Sequence, residues 1–293
     1  MSVLLRLSLW LAGFVVTAYL TICLLLYFRQ TRLIFFPAAT IETTPADLGM
    51  PYEEVWLPVQ QSERSERIHG WWMPAQSETA EVLLYLHGNG VNIGANVGHA
   101  KRFHQLGLSV LLIDYRGYGR SEGGFPTEQQ VYQDAETSWR YLTQTRKIPS
   151  ESILLYGHSL GGAVAVNLAV HHPDAAGLIV QSSFTSIRDM VERRPRYQIF
   201  PVEQLLHQRF DSIRKVPLLK MPVLFIHGLA DIQVPATMSE ALYAATPDPK
   251  QLYLVPLAGH NNVADTAGAE YLKVVQQFIQ RSRQPSIKLD GRV

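Results

Sequence analysis

The stretch Gly157-His158-Ser159-Leu160-Gly161 constrains this chain more than any other, because of what flanks it. Residues 152–156 form an apolar, strand-like run, and residues 160–170 are small and apolar enough for a helix packed close to a sheet. A strand that turns sharply into a helix at a serine makes a nucleophile elbow: the tight turn lifts the hydroxyl into a cleft, and glycines two residues away on each side leave room for the neighbouring chain. Gly157 and Gly161 supply that room, and Gly162, Ala163 and Ala165 let the helix lie against the sheet. The same turn aims the Leu160 N–H at the space beside Ser159 Oγ, where an oxyanion would develop. A bare G-x-S-x-G also occurs by chance, so the reading depends on partners further along the chain.

Those partners come in the order that such a fold requires, nucleophile, acid, histidine, each on a loop after a strand. Residues 222–227 read as a buried strand, and Gly228-Leu229-Ala230-Asp231 follows with one carboxylate. A further strand over 251–255 leads to Gly259-His260, and a period of about 3.6 predicts a helix over 267–281. His260 is therefore the expected base and Asp231 its orienting acid; Asp211, Asp248 and Asp265 lack a buried strand at the right place. Asp231 as a plain turn former is the competing reading. With a histidine base, activity is expected to fall as the pH becomes acid.

The second oxyanion donor should come from the loop after the strand at 82–86, where His87-Gly88-Asn89-Gly90 lets backbone N–H groups approach a substrate; the Asn89 N–H is the candidate. The glycines of this loop follow neither the dinucleotide nor the P-loop spacing. The remaining histidines read as structural: His158 fills the variable position of the elbow, His227 ends a strand, and His171-His172 closes a helix before Pro173. No histidine pairs with Cys, Asp or Glu at a ligand-like spacing, so neither a metal nor another cofactor is expected. The run 114–123 reads as a turn held by ion pairs rather than a substrate contact.

The succession of His87-Gly88-Asn89-Gly90, Asp114-Tyr115-Arg116-Gly117-Tyr118-Gly119, the elbow, Gly228 to Asp231, and Gly259-His260 resembles the α/β-hydrolase superfamily. It is most similar to the membrane-anchored serine hydrolases that include the fungal bud-emergence-related hydrolases and the α/β-hydrolase-domain depalmitoylases, to which Leu33-Ile34-Phe35-Phe36-Pro37 and Arg209-Phe210-Asp211-Ser212 are also similar. The resemblance implies an α/β fold, with a mostly parallel eight-stranded sheet between helix layers, over residues 33–283, and a Ser-Asp-His serine hydrolase. Ser159 at the nucleophile position departs from the aspartate of dehalogenases and epoxide hydrolases. A single cysteine, Cys23, departs from the cysteine-rich N-termini of the depalmitoylases.

Residues 7–28 are a predominantly apolar, charge-free run of roughly 22 residues, long enough to span a ~30 Å hydrocarbon core. Its length and the lack of a small-residue cleavage site favour a retained anchor, over residues 1–32, rather than a cleaved signal. Arg6 and the amino terminus balance Arg29 and Arg32, so the positive-inside rule assigns no side. One cysteine permits no intrachain disulfide, and no N-glycosylation sequon occurs. The net charge of +1 gives no electrostatic case for nucleic acid. Strands over 54–58 and 67–73 should open the sheet as an antiparallel pair around a charged turn at 61–66, with Trp71 and Trp72 either at the sheet edge or in a membrane interface. Residues 284–293 read as a frayed tail.

An insertion at about 184–220 is too long for a simple connection and is expected to cap the cleft. It carries Arg188, Arg193, Arg194, Arg196, Arg209, Arg214, Lys215 and Lys220 among apolar residues, which suits either a lid meeting anionic headgroups and an acyl chain or an ordinary solvated cap. The expected activity is cleavage of a carboxylic ester or thioester of a small-molecule or lipid-like apolar substrate through an acyl-enzyme. A peptidase or amidase with the same residues is the nearest alternative, and a non-catalytic membrane-tethered binding protein is the alternative of another class.

Overall fold

In the computed structural model, described over residues 2–59, 66–77 and 79–283, apolar runs become strands buried on both sides. The charged turn expected at 61–66, apart from Glu66, and the tail 284–293 lie outside the described residues. Eight strands form the central sheet: β1 (Glu53–Pro58), β2 (Arg67–Met73), β3 (Val82–Leu86), β4 (Ser109–Ile113), β5 (Ile153–His158), β6 (Gly177–Gln181), β7 (Val223–Gly228) and β8 (Lys250–Val255). Their order is β8-β7-β6-β5-β3-β4-β2-β1, and only β2 runs against the rest. Successive side chains of a strand face opposite sides. Thus Leu84, Leu111, Leu155, Val180 and Phe225 enter one core, while Tyr85, Leu112, Tyr156, Ile179 and Leu224 enter the other. Covering both faces explains why these strands read as continuous apolar runs rather than alternating ones.

Helices α3 (Glu128–Arg140), α4 (Leu160–His171) and α5 (Ala236–Ala245) pack on the first face, and α2 (Val97–Gln105) and α6 (Ala269–Ser282) on the second. The C-terminal helix starts two residues later than its period suggests. Gly268, in the left-handed region at φ 56°, separates it from a short turn of helix at Val263–Ala267. Trp71 and Trp72 are buried, one in each core, and do not meet a membrane interface. The 114–123 loop is tied down by the buried Arg116, whose Nε donates to Asp134 at 2.7 Å, and by Arg120 with Glu54 and Arg67 with Glu122.

Helix α1 (Val3–Arg29), 27 residues with a mean hydropathy of 2.3 over an 18-residue stretch, is exposed along most of its length. It is long and apolar enough to cross a membrane. Its end is not free of the rest of the protein. Tyr19 Oη donates to the Ile199 carbonyl at 2.9 Å, and Gln30 is buried against residues 205–208, which belong to the segment between β6 and β7. Beyond α1, Phe36–Pro37 pairs in parallel with Gly90–Val91, drawing the N-terminal segment onto the loop after β3.

Candidate active site

Ser159 sits where β5 turns into α4, at φ 53° and ψ −120°, a strained conformation for a residue with a Cβ. Close packing enforces it. A Cβ on Gly157 would stand 2.2 Å from the Gly161 carbonyl oxygen, and one on Gly161 would stand 2.1 Å from that of Leu86. The turn is held by the Ser159 N–H donating to the Gln181 carbonyl at 2.9 Å and by Ser183 Oγ donating to the Ser159 carbonyl at 2.8 Å. A serine at a helix N-cap ordinarily turns its oxygen back onto the helix. Here it makes no such bond, and the hydroxyl meets His260 instead, with Oγ 2.9 Å from Nε2.

The loops after β7 and β8 bring the other two residues in. Backbone bonds from Leu229 to Val255 and from Ala230 to Ala258 lock the loops side by side, and a Cβ on Gly228 would collide with the Ala258 carbonyl oxygen at 2.3 Å. His260 Nδ1 lies 2.6 Å from Asp231 Oδ2. Asp231 Oδ1 accepts from the Gln233 and Val234 N–H groups at 2.8 and 2.9 Å, and Oδ2 also faces His227 Nε2 at 3.2 Å. Burial works to raise the Asp231 pKa, but the bonds from His227, His260 and the Val234 N–H outweigh it and hold the carboxylate well below its usual range. Ionised Asp231 requires the hydrogen on His260 Nδ1, which leaves Nε2 as the acceptor facing Ser159.

Two histidines with no evident role in the sequence support this arrangement. His227 Nε2–H is shared between the Val234 carbonyl at 2.9 Å and Asp231, while Ser239 Oγ donates to its Nδ1 at 2.7 Å. His158 Nε2 donates to the His260 carbonyl at 3.1 Å and so ties the histidine loop to the elbow. No short pattern marks either one: His227 bonds within the loop and helix that follow its own strand, and His158 bonds to a loop 102 positions away.

Asn89 and Leu160 border the same cavity as Ser159. The Asn89 carbonyl accepts from the Phe36 N–H at 2.8 Å and Tyr118 Oη at 2.7 Å, and its side chain donates to the Ile34 carbonyl at 2.6 Å. That cavity, of about 1050 Å³, is at the top of the ~300–1,000 Å³ range of small-molecule sites. Phe184, Ile187, Met190 and Phe200 of the inserted segment and Leu26 of α1 supply apolar wall, and His99, Arg102 and Gln181 a polar end. There, Tyr85 Oη lies 3.1 Å from His99 Nδ1 and Tyr271 Oη 3.2 Å from its Nε2, with Tyr271 donating to Gln181 at 2.7 Å.

The cationic face expected on the insertion is neutralised only in part. Arg188 pairs with Glu192 and Glu203 at 2.7 and 2.8 Å, Arg209 with Glu203 at 3.0 Å, and Arg214 with Asp211 at 3.3 Å. Lys215 turns inward to Asn167 and Tyr132. Arg194 and Arg196 are the cations of this segment that border the cavity.

An eight-stranded sheet in this order, with a serine at the turn after its fifth strand, defines an α/β-hydrolase, and comparison with known proteins agrees. The model of the family described as "Serine aminopeptidase, S33" matches residues 77–215. Protein bem46 of Schizosaccharomyces pombe is 32% identical over 273 residues, covering 87% of each chain. A Saccharomyces cerevisiae protein named as an uncharacterized membrane protein is 30% identical over 285 residues, covering 93% of this chain and 96% of that one. An esterase of Pyrococcus furiosus shares the fold with a TM-score of 0.70 at 20% identity, over 85% of this chain and 98% of that one. The chain belongs to the α/β-hydrolase superfamily, alongside bem46, and is a hydrolase of that type.

Proposed function

We propose that this protein is a membrane-anchored serine hydrolase that cleaves carboxylic esters or thioesters with an apolar acyl portion through an acyl-enzyme. The observation that carries this reading is the continuous chain from Ser159 Oγ to His260 Nε2, and from His260 Nδ1 to Asp231, at one end of a cavity with largely apolar walls. In the forward step His260 takes the Ser159 proton as Oγ attacks the acyl carbon, and Asp231 stabilises the imidazolium without itself taking the proton. The Leu160 and Asn89 N–H groups receive the oxyanion. His260 then gives its proton to the leaving alcohol or thiol, and water, activated by the same base, releases the acid and restores Ser159. Helix α1 holds the enzyme in the bilayer, a reading supported by its length and hydropathy and by the yeast relative's name.

The test is labelling of the detergent-solubilised full chain by a fluorophosphonate, with the modified peptide mapped by mass spectrometry. Labelling at Ser159, abolished in Ser159→Ala, is the expected result; a folded protein left unlabelled would refute the assignment. The description of the matching family favours a second reading, an aminopeptidase or amidase on the same residues. Matched ester and anilide substrates separate the two, because only the amide reaction needs an amine leaving group protonated.

A further inference from the structure

The hydrogen bonds between α1 and the inserted segment have a consequence for where that segment lies. Taking α1 as the anchor proposed above, the charge-free run between Arg6 and Arg29 is about as long as a ~30 Å hydrocarbon core is thick. The helix therefore has little room to slide. Arg29 and Arg32 stay at the interface, because a charged side chain in mid-bilayer is costly. Tyr19 is ten residues before Arg29, which at 1.5 Å per residue places it about 15 Å into the hydrocarbon. Whatever touches Tyr19 is at a similar depth.

Two residues of the inserted segment touch it. The Ile199 carbonyl accepts from Tyr19 Oη at 2.9 Å, and the Phe200 ring stacks on the Tyr19 ring with centroids 5.7 Å apart. Nearer the interface, the Tyr27 ring packs on His207 at 5.0 Å, and Gln30 bonds to Leu205, His207 and Gln208. The segment thus runs down the side of α1, from Gln208 beside Gln30 to Ile199 beside Tyr19. Its composition suits that position in part: Ile199 is 69% exposed and Phe200, Val202, Leu205 and Leu206 accompany it, while the exposed Arg194 and Arg196 before the turn must extend along their alkyl stems toward the interface. Glu203, carried in the same stretch, is paired with Arg188 and Arg209.

We infer that the turn around Ile199 and Phe200 is embedded in the bilayer beside α1, and that the seam between them admits a membrane-resident acyl ester sideways to Ser159. The walls of the cavity connect the two places. Leu26 of α1, Gln30 just past its end, and Phe200, Val202, Leu205 and Leu206 of the turn line the same space as Ser159 and His260. An acyl chain already in the leaflet passes into an apolar wall without crossing water, so its transfer costs little hydrophobic free energy. The substrate class is accordingly a lipid-borne acyl ester rather than a freely diffusing one. This inference rests on the anchored-hydrolase reading but extends it to the source and route of the substrate.

Depth is tested without reference to activity. In full-length protein with Cys23→Ser and Ile199→Cys, reconstituted in phosphatidylcholine vesicles, a bimane label at position 199 is quenched by lipids spin-labelled in mid-chain, by headgroup-labelled lipids or by aqueous iodide. Mid-chain quenching at least about twofold stronger than headgroup quenching is expected for a residue below the headgroups. Efficient quenching by iodide, with none from mid-chain labels, would overturn the inference. For the route, Ile199→Asp is compared with wild type on p-nitrophenyl palmitate dissolved in the vesicles and on p-nitrophenyl butyrate in water. The ratio of palmitate to butyrate turnover should fall by about tenfold or more, since a carboxylate is disfavoured in hydrocarbon; an unchanged ratio would overturn the lateral route. Fluorophosphonate labelling of Ser159 reads the hydrolase assignment alone, so failure of that assignment and failure of this inference give different results.

Discussion

His158 Nε2 donates to the carbonyl of His260 across 3.1 Å, so the residue beside Ser159 also holds the loop that carries His260. Burial first, and then the neighbouring His260, push the His158 pKa down to about 4. His99, bonded between Tyr85 and Tyr271, is held well below its ordinary value, chiefly by burial.

Both histidines are therefore neutral in the folded state at pH values where the unfolded chain takes up protons. Their folded pKa values are depressed, so unfolding binds protons and stability falls as the pH drops below about 6.5. For His158 the loss ends near pH 4 and amounts to at most about 3 kcal/mol, reduced by the cavity water it borders. Between pH 7.5 and 4.5 the denaturant midpoint of His158→Gln should gain on that of wild type as the pH falls, because it has no proton to bind, while Asp134, pushed up to about 7 by burial, contributes with the opposite sign in both proteins. Parallel curves would show that His158 is not the group responsible.

Asp231 has the opposite sign and a different window. With its pKa depressed below the usual carboxylate range, it stabilises the fold above the unfolded value of about 3.9 and loses that contribution only in stronger acid. It adds no slope between pH 5 and 8. Asp231→Asn should leave the fold intact but put an amide where His260 Nδ1 needs an acceptor, favouring the wrong tautomer. A fall in kcat of about 10⁴ on a short ester is expected, by comparison with the equivalent change in a serine protease. Steady-state kinetics beside a thermal melt checks it; a loss of less than tenfold would remove Asp231 from the relay.

What could be read in the sequence was what is written locally. Strands β1, β2, β3, β5, β7 and β8, the elbow, and the Asp231 and His260 loops each carry their own short pattern, and parallel topology brings the ends of such strands together. Contacts between distant segments leave no such mark. Gln30 meets His207 across 177 positions, and nothing in the apolar run announces that the glutamine just beyond it is buried. The arginines of the insertion show the same limit: a count of charges shows an excess, but not that folding sets Glu203 between Arg188 and Arg209. His158 looked structural because its partner, the His260 carbonyl, lies 102 positions away, and His227 because its bonds to Val234 and Ser239 are made within the loop and helix that follow it.

Gly161 offers a test of the elbow itself. The Leu86 and His87 carbonyl oxygens would lie 2.1 and 2.4 Å from a Cβ there, and both belong to the backbone of the central sheet and the loop after it. Neither can move without parting β3 from β5. Gly161→Ala should cost more than about 3 kcal/mol, in the range of severe backbone and overpacking defects. Gly98 in α2 has no heavy atom within 4 Å of such a Cβ, and Gly98→Ala, at an exposed helical position, should be neutral or slightly stabilising. Melting temperatures of the two variants provide the comparison, and equal values would mean the elbow is looser than its geometry.

Gln30 couples α1 to the inserted segment through both ends of its amide. Oε1 accepts from the His207 and Gln208 N–H groups, each at 2.9 Å, and Nε2 donates to the Leu205 and Tyr27 carbonyls at 3.1 and 2.9 Å. The side chain is buried, so Gln30→Leu would leave several backbone groups unpaired, each costing about 1–3 kcal/mol unless water reaches it. Residues 199–208 are expected to relax locally rather than unfold the domain, since neither core draws on them. Hydrogen exchange at the His207 and Gln208 amides should quicken by at least about tenfold, one decade for each ~1.4 kcal/mol lost, while β3 and β5 keep their protection. Because Leu205 and Leu206 line the cavity with Ser159, the same variant should lose discrimination between long and short acyl esters. Unchanged exchange at residues 207 and 208 would mean that the segment holds its place without α1.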